Sequence, residues 1–164
     1  MEKDVLIVQS SEGNRLGIAG GNYRIIISGK ETSGNYAVIE MIVPPGGGPP
    51  PHSHPDTQEM FHVLEGEVEF KSEKGRTIVG KDGFVNIPFG GAIHCFKNNS
   101  SSVARLLCTV VPAGLETMFE DIGVPVAAGE FPPVPEMTAE RRKFMLEISE
   151  KYGQKTFPPD YLDK

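Results

Sequence analysis

Between residues 36 and 111 the chain is a succession of short runs rich in β-branched and aromatic residues, each cut off by glycine, proline or a small polar cluster. The runs cover residues 36–43, 59–64, 67–71, 77–79, 84–87, 93–97 and 103–111. The breaks carry Gly66, Gly75, Gly80, Gly83, Gly90, Gly91 and the polar stretch 98–102. Turn chemistry at this regular spacing predicts antiparallel strands joined by hairpins, and so an all-β sandwich or barrel. Val68 and Phe70 alternate with Glu67, Glu69 and Lys71, the pattern of a strand with one buried and one wet face. Residues 5–8 and 23–27 carry the same strand signal upstream. The Gly/Pro stretch 44–51 reads as a loop within the barrel, because strand signals resume directly after it, and its consecutive prolines stiffen it.

The last third changes character. Leu115, Met118, Phe119 and Ile122 recur at helical spacing and stop before Gly123. A Pro/Gly-rich strap spans 124–135. Thr138 is placed to cap a second helix over about 139–152, with Phe144, Met145, Ile148 and Tyr152 as its apolar side and Gly153 as its end. The tail from Pro158 onward is expected to fray. A length of 164 residues suits one domain, with a barrel core over about 20–112 and a helical extension over about 113–164 that covers it.

Charge and cysteine content narrow the function classes. The net charge of −6 and the lack of a Lys/Arg stripe argue against nucleic acid as a partner. No apolar run approaches the length of a membrane span, and residues 1–8 read as a first strand with no secretory leader, so the expectation is no membrane and a cytoplasmic location. Cys95 and Cys108 fit neither a disulfide framework nor a Cys-based zinc site, and read as small, mostly buried, reduced residues. Cys95 should point away from the face that its neighbour His94 uses.

The chemistry concentrates between Gly46 and Gly66. His52 and His54 are one residue apart and point the same way on an extended segment. Glu59 opens the next strand run after a bend at Pro55 and Asp56, and His94 follows a turn that begins at Pro88. Three imidazoles and one carboxylate suit a first-row divalent ion: iron, manganese, nickel, cobalt or zinc. Around an octahedral ion they leave two positions for water, oxygen or substrate. Taken singly, each residue has an ordinary reading: His52 and His54 as loop histidines, Glu59 as an exposed strand carboxylate, His94 as a hydrogen-bonded core residue. It is the joint spacing that favours a metal. His62, three residues beyond Glu59, should face outward. Glu65, Glu67 and Glu69 should line one solvated face.

These residues resemble the two motifs of the cupin superfamily. Gly46, five residues, His52, one residue, His54, four residues, Glu59, six residues and Gly66 meet the first motif in full. Pro88, Gly90 or Gly91, His94 and Asn98 supply the second, with two departures: Asp82 and Gly83 stand in reversed order, and one extra residue separates Pro88 from His94. The resemblance implies a double-stranded β-helix (jelly-roll) barrel with short C-terminal helices, a metal held inside by His52, His54, Glu59 and His94, and a homodimer. It is similar also to bacterial quercetin-type dioxygenases, which implies an oxygenase acting on a small, partly apolar molecule, with Glu59 as base as well as ligand. A non-oxidative isomerase or lyase and a non-catalytic ligand-binding module are the alternatives. Phe61 and Val63 share the parity of Glu59, and Phe96 that of His94. With Phe70, Phe84 and Phe119 they either line a pocket or simply fill the barrel, while Met118 and Phe119 are placed to close its mouth.

Overall fold

The structure, a computed structural model, describes residues 4–163. Its strands are β1 (Asn14–Ile18), β2 (Gly21–Ile27), β3 (Ala37–Val43), β4 (His52–Ser53), β5 (Gln58–Glu65), β6 (Glu67–Ser72), β7 (Gly75–Gly80), β8 (Phe84–Ile87), β9 (His94–Lys97), β10 (Ala104–Val111), β11 (Val124–Pro125) and β12 (Lys155–Thr156). Three helices accompany them: α1 (Gly29–Thr32), α2 (Leu115–Ile122) and α3 (Ala139–Lys151). The strands form two antiparallel sheets. One runs β11-β1-β2-β3-β10-β5-β8 and the other β12-β4-β9-β6-β7. The placement of β10 between β3 and β5, and of β9 between β4 and β6, is the crossing of a jelly roll.

Strand β10 shows why the sheets face each other as they do. Ala104, Leu106, Cys108 and Val110 are all fully buried. They lie beside Val43, Met41, Ile39 and Ala37 of β3 on one side. On the other, Leu106, Cys108 and Val110 pair with Val63, Phe61 and Glu59 of β5. Period-two alternation therefore puts Glu59 in the same inward row as the core, and it is the one acidic residue in that row.

The loop between β3 and β4 is a fixed part of the core edge. The Gly46 N–H donates to Asn98 O at 2.7 Å and the Asn98 N–H donates to Gly47 O at 2.9 Å. Gly48 passes so close to β9, with φ +138°, that a Cβ there would lie 2.0 Å from Phe96 O. Only glycine permits that approach. The Asn98 side chain, fully buried, donates to Val43 O and Ser102 O and accepts from Ser100.

Both long helices fall where their sequence signals put them. α2 buries Met118 and Phe119 and stops at Gly123. Thr138 caps α3, its Oγ1 accepting from the Arg141 N–H at 3.2 Å. Of the apolar side expected for α3, Ile148 is buried, whereas Phe144 is exposed. The helix is anchored at its C-terminal end, where Lys151 and Tyr152 both donate to Asp121 of α2.

Two expectations are not met. Residues 5–8 form no strand; Val5, Leu6 and Ile7 are exposed. Their β-propensity is not realised in a ladder, and the outer edge of β1 pairs with β11 at Leu16 and Gly17. Conversely the tail from Pro158 onward is tethered near the surface, behind a short strand that its sequence did not signal. β12 adds a strand beside β4, the Phe157 ring packs on Tyr161 with centroids 4.8 Å apart, and Lys71 holds Asp163. Strand propensity decides little where pairing is long-range. β1 itself carried too weak an apolar alternation, broken by Arg15 and Gly17, to stand out in the sequence.

Candidate metal centre

Four side chains meet between the sheets. β4 and β9 bring His52 and His94 into direct register as a cross-strand pair, with ring centroids 4.4 Å apart. Glu59 enters from β5 in the opposite sheet, and His54 from the turn that joins the two. All four are buried, and one ligand atom from each lies within 4.8 Å of every other. That is the width of one first-row coordination sphere, whose bonds are about 2.0–2.2 Å.

The backbone sets the direction of all three imidazoles. His52 Nδ1 lies 2.9 Å from Pro50 O, His54 Nδ1 3.0 Å from Thr57 O, and His94 Nδ1 2.8 Å from Ala92 O. A carbonyl only accepts, so each Nδ1 carries a proton and each ring turns its Nε2 toward the centre. This is the outer support that metal-binding histidines use to fix tautomer and orientation. The stiff prolines before His52 supply one of these carbonyls, and the turn residues before His94 another.

The carboxylate completes the set. Glu59 Oε2 lies 3.0 Å from His54 Nε2 and 3.4 Å from His94 Nε2. The latter contact does not meet hydrogen-bond geometry, and His94 Nε2 is a buried nitrogen with no hydrogen-bond partner. A buried unpartnered polar atom costs stability unless something fills the role. A divalent cation at the centre would satisfy it and neutralise Glu59, so the residues present fit a metal.

Charge states follow from the same geometry. Burial disfavours the Glu59 carboxylate, but its hydrogen bonding to His54 and the nearness of His94 outweigh burial and hold its pKa well below the usual range. Burial, with His94 beside it, pushes His52 down to about 4, so that ring is neutral near pH 7. His54 is moved the other way: burial lowers it, and the Glu59 contact more than compensates. The site thus pairs one carboxylate anion with the neutral His52 ring, and three imidazoles with one carboxylate are a donor set suited to M²⁺.

Two neighbours were not singled out by sequence reasoning. The Cys108 thiol donates to Glu59 Oε1 at 3.2 Å. Burial, with the carboxylate beside it, raises its pKa well above the ordinary thiol value, so it stays a protonated donor. Only the pairing of β10 with β5 brings these two residues together. Tyr23 of β2 is also buried inward, and burial pushes its phenol well above its ordinary range. Its alternation with Ile25 was the available signal.

The remaining residues sort by strand parity. Phe61, Phe70 and Phe96 form one aromatic layer, with centroids 5.3–5.5 Å apart, one step along the strands from Glu59 and His94. With Val63 they belong to the packed core. Phe119 is buried edge-on against Tyr23 at 5.4 Å. Phe84 does not join them. It pairs with His62, both side chains are on the outer face, and it is 62% exposed. The inward positions of β8 belong to Val85 and Ile87, which have the opposite parity. Glu67 is exposed and Glu69 half-exposed, as a solvated hairpin requires. Cys95 points to the face away from the centre, as the alternation predicts.

The second-motif departures are absorbed locally. Asp82 takes up the left-handed conformation, φ +66°, at the reversed Asp–Gly pair. The extra residue after Pro88 is accommodated by Gly90 and Gly91, both at positive φ, with the Gly90 N–H donating to Pro55 O at 2.8 Å. His94 still reaches the centre.

Residues 39–110, the part of the chain that carries the three-His, one-Glu cluster, match the cupin domain family. Over 130 residues, 79% of the chain, it is 25% identical to quercetin 2,3-dioxygenase of Bacillus subtilis (strain 168). Over 105 residues, 62% of the chain, it is 34% identical to germin-like protein subfamily 2 member 2 of Arabidopsis thaliana. The matched regions span 38% and 46% of the length of those two relatives. KdgF from Halomonas sp. has a similar structure, with a TM-score of 0.61 at 12% identity, covering 70% of this chain and 99% of that one. At that identity the likeness is one of fold. No helix among the described residues is long and apolar enough to cross a membrane.

Proposed function

We propose that the chain is a divalent-metal-dependent, dioxygenase-like enzyme acting on a small, partly apolar organic molecule. The observation that carries this is the convergence of three carbonyl-locked imidazoles and Glu59 on a buried point where His94 Nε2 has no partner. The similarity to a quercetin 2,3-dioxygenase supports the choice of chemistry. A bound divalent ion supplies Lewis acidity and open coordination positions there. The protein's part is positional. His52, His54 and His94 hold their rings by their Nδ1 hydrogen bonds. Glu59 serves as ligand and as the base that takes a proton from an enolisable substrate, with Cys108 fixing its Oε1. The layer of Phe61, Phe70 and Phe96 closes one side of the centre to water.

An isomerase or lyase acting on a sugar or keto acid would call for cationic groups inside. The buried Arg24 instead faces outward, paired with Glu40 at 2.8 Å, which ranks that reading lower. The test is oxygen uptake by chain loaded with manganese, iron, cobalt or nickel against flavonols and other enolisable compounds. Turnover that disappears on metal removal and in Glu59→Gln is expected. No uptake with any metal across a broad panel would overturn the oxygenase reading, and tight ligand retention without turnover would favour a binding module.

A further inference from the structure

β4, which carries His52, is two residues long and is held from both sides. On one side His52 pairs with His94 of β9. On the other, Thr156 pairs with His52 and Lys155 with Ser53, and the Phe157 N–H donates to Pro51 O at 3.0 Å. Without β12 the ligand strand would be a sheet edge tied by a single residue pair, next to the proline loop that sets the His52 ring. We propose that the C-terminal segment 155–163 is a strap that positions the His52–His54 ligand segment, so that docking of the strap and occupancy of the metal centre are coupled. This rests on the reading that the four-residue cluster holds a metal.

The strap is built to be the loose partner in that coupling. Lys155 and Thr156 are exposed. Its further tethers are the Phe157–Tyr161 ring contact and the Lys71–Asp163 ion pair, both near the surface. Segments with few buried contacts open before the core does, so the strap is the element most easily released, while the strand it holds is one of the shortest and most consequential. Linkage is reciprocal: whatever the strap adds to metal affinity, metal adds to strap docking. The fold supplies a reporter. Cys95 points to the outer face of the sheet, opposite Lys71 on β6, the residue that holds Asp163, yet is only 7% exposed. Cys108 is fully buried and serves as the unreactive control.

Two full-length variants test the idea. Phe157→Pro removes the donor to Pro51 O and the ring, and Asp163→Lys breaks the surface ion pair without touching the core. Both are expected to label faster at Cys95 and to bind cobalt(II) about ten-fold more weakly, the low end of the effect of losing an outer support of a metal ligand. Adding Lys71→Asp to Asp163→Lys should restore both. In the parent chain, cobalt(II) should slow amide exchange across 155–163, and this slowing should vanish in His94→Leu. Faster Cys95 labelling with unchanged cobalt affinity would overturn the coupling. Unchanged labelling in both variants would overturn it too, because these contacts would not then hold the strap. A parent chain that binds no cobalt in equilibrium dialysis would remove the metal reading itself, an outcome distinct from both.

Discussion

Replacing His94 by leucine separates a metal ligand from a core histidine. His94 is 1% exposed, and leucine is close to it in volume. In the metal-free chain the substitution loses one hydrogen bond, from Nδ1–H to Ala92 O, worth about 0.5–1.5 kcal/mol. Ala92 is exposed, so water can take over its carbonyl. Against that loss, the substitution removes the unpartnered buried Nε2, a penalty of about 1–3 kcal/mol. The metal-free variant should therefore be as stable as the parent or slightly more so. With metal the order reverses. A ligand at a hundred times its Kd stabilises the fold that binds it by about 2.7 kcal/mol. For a domain of this size that raises Tm by roughly 5–11 °C. The assay is thermal unfolding of parent and variant with EDTA and with excess manganese, cobalt or nickel. The expected result is a metal-dependent rise in the parent alone and, with EDTA, a variant that melts no lower. If the parent melts at the same temperature in both conditions, or if His94→Leu is strongly destabilised with EDTA, the reasoning from the orphaned nitrogen is wrong.

Three further outcomes follow from the surrounding structure. Burial raises the Glu40 carboxyl, but its hydrogen bonds to Arg105 and Arg24 outweigh this and leave its pKa below 4.5 in the folded chain. Its contribution is thus complete above pH 4.5 and is lost as pH falls through the lowered folded value; Glu40→Gln should cost about 3 kcal/mol at pH 7 and flatten that acid limb in urea titrations. Asn98→Ala leaves Val43 O and Ser102 O without their donor and should cost about 2–4 kcal/mol in the same measurement, while an unchanged midpoint would show that the turn holds without it. Phe61→Ala opens the aromatic layer and should cost about 3–5 kcal/mol, whereas Phe61→Leu should cost under about 1.5 kcal/mol if the layer packs by volume alone.

Much of the centre is legible in the order of residues, and the reason is local. The spacing of His52, His54 and Glu59 is set within one loop, one turn and one strand start, so residue count and strand parity specify which side chains can share a face. The same holds for α2, whose apolar spacing and terminal Gly123 are contained in a single short segment, and for the cap at Thr138. Parity alone says that Val85 and Ile87 share a face and that Phe84 does not share it. It does not say which of the two faces is inward, and β8 turned Phe84 out because Val85 pairs with Phe61.

What tertiary structure decided was pairing at long range. Cys108 reaches Glu59 only because β10 lies beside β5. Residues 5–8 form no strand, while β11, from a distant part of the chain, pairs with the outer edge of β1. Lys155 and Thr156, just before the tail, became a strand on the side of the ligand strand β4 opposite β9. By itself the sequence determined most of the strands and the two long helices, since those depend on propensity and period over a few residues, and it named the four metal-binding candidates through their joint spacing and the motifs that this spacing resembles. The orphaned His94 nitrogen, the thiol behind Glu59 and the strap on β4 depended on which backbone edges met, and strand pairing is settled by the whole chain at once.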